Sequence, residues 1–196
     1  MWTSHETWPK VSPSNNVNKP PQYPSRIILV GMMGSGKSRL GRTLAKHIGY
    51  TFVDTDRLIE TQTSARIPDL FQTHGESGFR DIESGICETL NTYENAVIAT
   101  GGGMVLRPEN QEKLRQMGWV VFLYTPLDIL LSRLEKDRKR PLLQTEDREQ
   151  TLTHLYQSRA PIYDAVAHVS IDTSSQRQEI ILETLLKCLP DPSNQD

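Results

Sequence analysis

Gly31-Met32-Met33-Gly34-Ser35-Gly36-Lys37-Ser38 satisfies the pattern G-x-x-x-x-G-K-[ST] at every position. The apolar run Ile27-Ile28-Leu29-Val30 precedes it, and a stretch with helical periodicity follows. Strand, glycine loop and helix in that order are the setting a phosphate-binding loop requires. The glycines let the chain wrap so that backbone N–H groups, those of Gly34, Ser35 and Gly36 among them, turn toward phosphate oxygens. The helix N-terminus adds partial positive charge. Lys37 would reach the β- and γ-phosphates, and the Ser38 hydroxyl would ligate Mg²⁺. These residues predict a binding site for a nucleoside triphosphate.

Outward from the loop, short apolar runs alternate with helical patterns. Strands are predicted at 27–30, 51–53, 96–100, 120–124 and 168–171. Helices are predicted at 38–48, 56–63, 67–73, 76–91, 108–117, 126–136, 147–164 and 176–188. Aliphatic runs joined by helical crossovers imply a parallel sheet covered on both faces. Ligands in such sheets collect at the carboxyl ends of the strands, so chemistry is expected just after each one.

The second strand runs into Asp54-Thr55-Asp56. Two carboxylates this close can divide tasks, one near Mg²⁺ and the other accepting a substrate hydroxyl proton. A lone D-x-D is more often a solvated turn, and the neighbouring phosphate loop is what raises it to a candidate. The third strand ends in Thr100-Gly101-Gly102-Gly103, three successive bare amides that a ligand can approach closely. Between these lies Phe79-Arg80-Asp81-Ile82-Glu83, where Arg80 and Glu83 share a helix face. A guanidinium oriented by Glu83 would suit a substrate carboxylate. The charged run at 135–140, ending in Arg140 before Pro141-Leu142-Leu143, reads as a mobile lid with a cation for the migrating phosphoryl group. Arg159-Ala160-Pro161-Ile162-Tyr163 is expected to interrupt a helix, with Arg159 a second carboxylate ligand and Tyr163 in the core.

Composition narrows the class. With 196 residues and a net charge of −2, the chain suits one well-cored domain and carries no global field to recruit nucleic acid or an anionic membrane. No apolar run approaches the ~20 residues of a membrane span. Cys87 and Cys188 lie far apart without metal-ligand spacing, as in a reduced cytoplasmic protein. Residues 1–25 are rich in proline, serine and asparagine and poor in aliphatic side chains, so a disordered tail is expected there, with a second at 189–196. A plastid-type targeting peptide is the competing reading of the first segment.

Taken in order, residues 31–38, Val53-Asp54-Thr55-Asp56, the 79–83 helix, the glycine triplet, Arg140-Pro141-Leu142-Leu143 and the 159–163 segment closely resemble shikimate kinase. The resemblance covers residues 26–188. It implies a three-layer α/β P-loop fold, with five parallel strands ordered 2-3-1-4-5, flanking helices and a closing lid. The implied reaction moves the γ-phosphoryl of ATP to the 3-hydroxyl of shikimate, on the route to chorismate and the aromatic amino acids, in a monomer. By the same resemblance Asp56 accepts the hydroxyl proton and Asp54 holds Mg²⁺ indirectly. Arg80 and Arg159 bind the shikimate carboxylate, and Gly101, Gly102 and Gly103 line the substrate. Lys37 and Arg140 attend the phosphates, while Arg133 and Gln176 contact adenine. Arg39 departs from the family pattern, where many members carry Thr; it adjoins the nucleotide ligands and is grouped with them. The competing readings are a P-loop kinase of another small hydroxylated acid such as gluconate, and a kinase-derived binding module. A GTPase is excluded, because Asn18-Lys19 runs into Pro20-Pro21 instead of forming N-K-x-D.

Overall fold

The computed structural model describes residues 23–135, 141–174 and 177–190. Five strands form one sheet: β1 (Arg26–Val30), β2 (Thr51–Asp54), β3 (Ala96–Ala99), β4 (Trp119–Tyr124) and β5 (Val169–Asp172). Their order is β2-β3-β1-β4-β5, and every pairing is parallel. The first strand made is therefore the central one, with Ile28 registered against both Ile98 and Val120. Its residues Ile27, Ile28, Leu29 and Val30 are fully buried.

Alternation along the strands sends side chains into two cores. Ile28 and Val30 face one that holds Ile98, Val120 and Phe122. It is covered by α2 (Thr55–Thr63), α3 (Ile67–Thr89), α4 (Pro108–Met117), α5 (Leu127–Leu134) and α6 (Arg148–Val166), which send in Ile59, Phe79, Leu114, Leu130 and Tyr163 among others. Ile27 and Leu29 face the other, closed by Leu40 and Leu44 of α1 (Lys37–Ile48) and by Ile181, Leu182 and Leu185 of α7 (Gln178–Cys188). Both faces being covered explains why these strands read as unbroken aliphatic runs.

The predicted pair at 67–73 and 76–91 is found as two helical stretches that meet at a break at Gly75 within α3. There φ is +66° and ψ is −176°, a backbone that glycine adopts without a Cβ penalty. The expected interruption at 159–163 is absent: α6 runs continuously through Pro161. Proline removes one donor, and the Gln157 carbonyl it orphans belongs to an exposed residue, where solvent can take the place of the lost donor.

Candidate active site

At the end of β1 the chain leaves the sheet through Gly31, whose φ of +143° lies outside the range of other residues. A Cβ there would also stand 2.8 Å from the Leu123 carbonyl oxygen on β4. Gly36, in left-handed conformation, starts α1, and its carbonyl accepts the Leu40 amide at 2.8 Å. The first-turn amides of α1 have no partner within the helix, which makes its N-terminus a ready anion site. Lys37 is buried and folds back over its own loop, its Nζ donating to the carbonyls of Gly31 at 2.7 Å and Met32 at 2.9 Å.

Ser38 donates its hydroxyl to Asp54 Oδ2 at 2.7 Å. The other oxygen of Asp54 caps α2, accepting the amides of Asp56 at 3.2 Å and Arg57 at 3.5 Å. So the D-x-D is split by geometry. Asp54 closes a strand, caps a helix and meets the loop serine, whereas Asp56 turns toward the glycine triplet. A Cβ on Gly101 would lie 2.6 Å from Asp56 Oδ1 and 2.9 Å from Glu83 Oε1. Gly101 is itself tied to α2, its amide donating to the buried Thr55 hydroxyl at 2.8 Å.

Two clefts flank the loop. One, of 350 Å³, is lined by Met33, Asp56, Arg80, Gly102, Gly103 and Arg159, together with Glu60, Phe71 and Leu142. Arg80 and Arg159 reach it from α3 and α6 and keep only 7% and 4% of their exposure. Arg80 Nη1 donates to Glu83 Oε2 at 2.5 Å, and Nη2 to Glu76 Oε1 at 2.7 Å. Burial alone would disfavour its charge, but Glu83 and Glu76 outweigh it and raise its pKa further. Burial pushes the Glu83 carboxyl up against the pull of Arg80, with Asp56 adding to the rise. The floor is fixed by Tyr163, whose hydroxyl donates to the Gly102 carbonyl at 2.5 Å and whose pKa burial pushes up to about 12.

The second cleft, of 490 Å³, is lined by Gly34, Ser35, Gly36, Arg39, Arg133, Thr173 and Gln178. Arg133 spans it, donating to the carbonyls of Gly34 at 3.3 Å and Thr173 at 2.7 Å. The loop is the shared wall, since Met33 faces one cleft and Gly34 the other. Arg140 and Gln176 lie outside the described residues.

Sequence reading missed Glu76, Thr173 and Gln178, and it placed Tyr163 in the core without its polar role. Thr173 directly follows β5, so the rule that ligands gather at strand ends would have found it. Tyr163 stands one helical turn after Arg159, which was signal enough to test its hydroxyl. Glu76 carried no motif. Among the described residues no group of His, Cys, Asp and Glu has the makings of a multi-ligand metal centre, and no helix is long and apolar enough to cross a membrane.

Comparison with known proteins bears on this geometry. A family model described as shikimate kinase matches residues 33–190. A shikimate kinase of Synechococcus elongatus is 46% identical over 165 residues, 84% of this chain and 86% of that protein. One from Halorhodospira halophila is 43% identical over 166 residues, 85% of this chain and 94% of that protein. A solved shikimate kinase from Acinetobacter baumannii, in complex with shikimate, superposes with a TM-score of 0.80 at 42% identity. It covers 83% of this chain and 91% of its own.

Proposed function

The chain belongs to the shikimate kinase family, and from this premise we infer that it transfers the γ-phosphoryl of ATP to the 3-hydroxyl of shikimate on the route to chorismate. The observation that carries the assignment of roles is the 350 Å³ cleft, where two buried guanidiniums and the Asp56 carboxylate converge beside the phosphate loop.

A cyclic acid entering this cleft sets its carboxylate against Arg80 and Arg159, whose charge-assisted bonds fix its orientation. Its hydroxyl is thereby turned toward Asp56, which accepts the proton as the new P–O bond forms. Gly101, Gly102 and Gly103 let the ring lie against backbone. On the other side, the amides of residues 34–38 and the α1 N-terminus hold the phosphates. Lys37 exchanges its two carbonyl partners for phosphate oxygens, so its charge is pre-positioned along the loop. Arg133 and Arg39 wall the cleft for the nucleoside. Arg140 and Gln176 take the lid and adenine roles by family resemblance.

Ser38 and Asp54 present hard oxygen donors side by side, the chemistry Mg²⁺ prefers, with Asp54 acting through water. When bound, the ion would neutralise charge on the β- and γ-phosphates. We place the catalytic domain at residues 23–190, wider than the expected 26–188 because Tyr23 and Leu189 pack against the core under α1 and α7 and the Tyr23 carbonyl accepts the Tyr50 hydroxyl, in a cytoplasmic monomer.

A coupled assay with ATP and Mg²⁺ against shikimate, gluconate and the neutral amide of shikimate tests the reading. Shikimate alone is expected to turn over efficiently, and Lys37→Met to lower its rate by about 10²–10³-fold. Preference for gluconate, or equal rates with acid and amide, would overturn it.

A further inference from the structure

Glu76 sits directly after the break at Gly75, against Arg80 and Arg159, two of the residues that line the 350 Å³ cleft. Its side chain is 53% exposed, yet Oε1 lies 2.7 Å from Arg80 Nη2 and 3.8 Å from Arg159 Nη2. The arginine side chains it bridges are 9% and 5% exposed and come from different helices. Arg80's other terminal nitrogen holds Glu83, whose side chain is 2% exposed. The two glutamates thus differ in kind. Glu83 is locked inside the protein, whereas Glu76 meets the same cluster from solvent.

We propose that Glu76 is a built-in place-holder. Its carboxylate stands between the two guanidiniums until a substrate carboxylate takes that position, and it then swings into water. The proposal rests on the reading of Arg80 and Arg159 as the acceptor's carboxylate site.

Charge balance carries the argument. Two buried guanidiniums need counter-charge whether or not a ligand is bound, because burying unpaired charge is costly. Glu83 supplies one carboxylate and Glu76 the other. If Glu76 stayed while a ligand carboxylate entered, three carboxylates would crowd two guanidiniums, with Asp56 adding a fourth negative group nearby. Exchange avoids this: one carboxylate leaves as another arrives, and the net charge of the cleft is unchanged. Glu76 regains hydration on leaving because it is already half in solvent. A ligand without a carboxylate offers no such exchange, so Glu76 keeps its position against it. The same occupation lowers the fraction of protein ready for substrate, which weakens apparent affinity by that fraction.

The test compares wild type with Glu76→Gln, which keeps the shape and removes the charge, by calorimetric titration of shikimate and by thermal melting. Glu76→Asp, which keeps the charge, is the second variant. Glu76→Gln is expected to bind shikimate about fivefold more tightly, and its melting temperature is expected to rise more on adding shikimate than that of wild type. Glu76→Asp should remain nearer to wild type, and the neutral amide should bind wild type and Glu76→Gln alike. Unchanged or weaker shikimate binding by Glu76→Gln, with wild type binding normally, would overturn the place-holder and make Glu76 a residue that orients Arg80. Failure of wild type itself to bind shikimate would overturn the acceptor assignment and the place-holder together.

Discussion

Gly103 and Arg80 occupy adjoining space so completely that a Cβ built on the glycine would overlap the guanidinium. Arg80 is held from behind by Glu83 and Glu76, so it cannot withdraw without giving up ion pairs. Gly103→Ala is therefore expected to displace Arg80 or the glycine loop and raise KM for shikimate by about tenfold or more. Gly102→Ala serves as the contrast for folding, because its Cβ would stand at an ordinary 3.5 Å from the Tyr163 oxygen and leave Arg80 in place. A melting temperature lowered in Gly103→Ala and unchanged in Gly102→Ala would trace the Gly103 effect to its clash with Arg80.

Removing one member of the Arg80–Glu83 pair should cost more than removing both. Arg80→Ala leaves Glu83, 1% exposed, without its main counter-charge, and a loss of about 3–5 kcal/mol is expected. Arg80→Met combined with Glu83→Leu removes both charges and should recover much of that loss while remaining inactive. Urea unfolding of the single and double variants measures the difference. A double variant no more stable than Arg80→Ala would show that the pair is not what holds this corner.

The two carboxylates of the 54–56 segment should separate in kinetics. Asp56→Asn keeps size and removes the proposed proton acceptor, so kcat is expected to fall about 10²-fold or more while ATP binding is little changed. Asp54→Asn retains a good helix cap but weakens the partnership with Ser38, so the Mg²⁺ concentration for half-maximal rate should rise. Titrating Mg²⁺ against rate for both variants decides the matter, and indistinguishable profiles would mean that the roles are not divided.

His168 introduces a pH dependence away from the clefts. Its Nδ1 accepts the Val120 amide at 3.0 Å, which only an unprotonated nitrogen does, and its ring stacks on Trp119 at 4.5 Å. Burial, followed by the Arg115 charge, lowers its pKa. Protonation is thus easier in the unfolded chain, so this contribution is present above the ordinary histidine value. It is lost as pH falls through the lowered one. Wild type should gain stability as pH rises toward the ordinary histidine value of about 6.5, and His168→Asn should flatten that part of the curve. Equal slopes for the two proteins would remove His168 as the source.

The fold was largely readable because its strands are buried on both faces and its helices carry regular apolar spacing, signals that depend on local pattern alone. Residues 31–38, Asp54, Asp56 and the glycine triplet stood out because backbone approach and metal chemistry demand particular residue types at fixed spacing. Arg80 and Arg159 were legible as candidates, but their convergence followed only from the family resemblance, because α3 and α6 bring them together through tertiary packing and no local pattern records it. Glu76 escaped for the same reason, being an ordinary helical glutamate until two distant arginines face it. Pro161 misled because a proline's local preference is strong, and only an exposed helix face shows why it is tolerated there.

The position of β1 at the centre of the sheet also orders events during synthesis. Arg26–Val30 emerges first, yet its partners Ile98 and Val120 belong to strands made much later. Until both have left the ribosome, an apolar strand waits unpaired with the phosphate loop hanging from its end, and non-local pairing of this kind is slow and prone to aggregation. The 490 Å³ cleft proposed for the nucleotide is completed later still, because Thr173 and Gln178 close it. The 350 Å³ cleft proposed for the substrate, by contrast, has all its described walls once α6 is in place. The earliest motif in the chain is therefore among the last to become competent, and a nascent chain can gather its acceptor side before it can hold the phosphoryl donor.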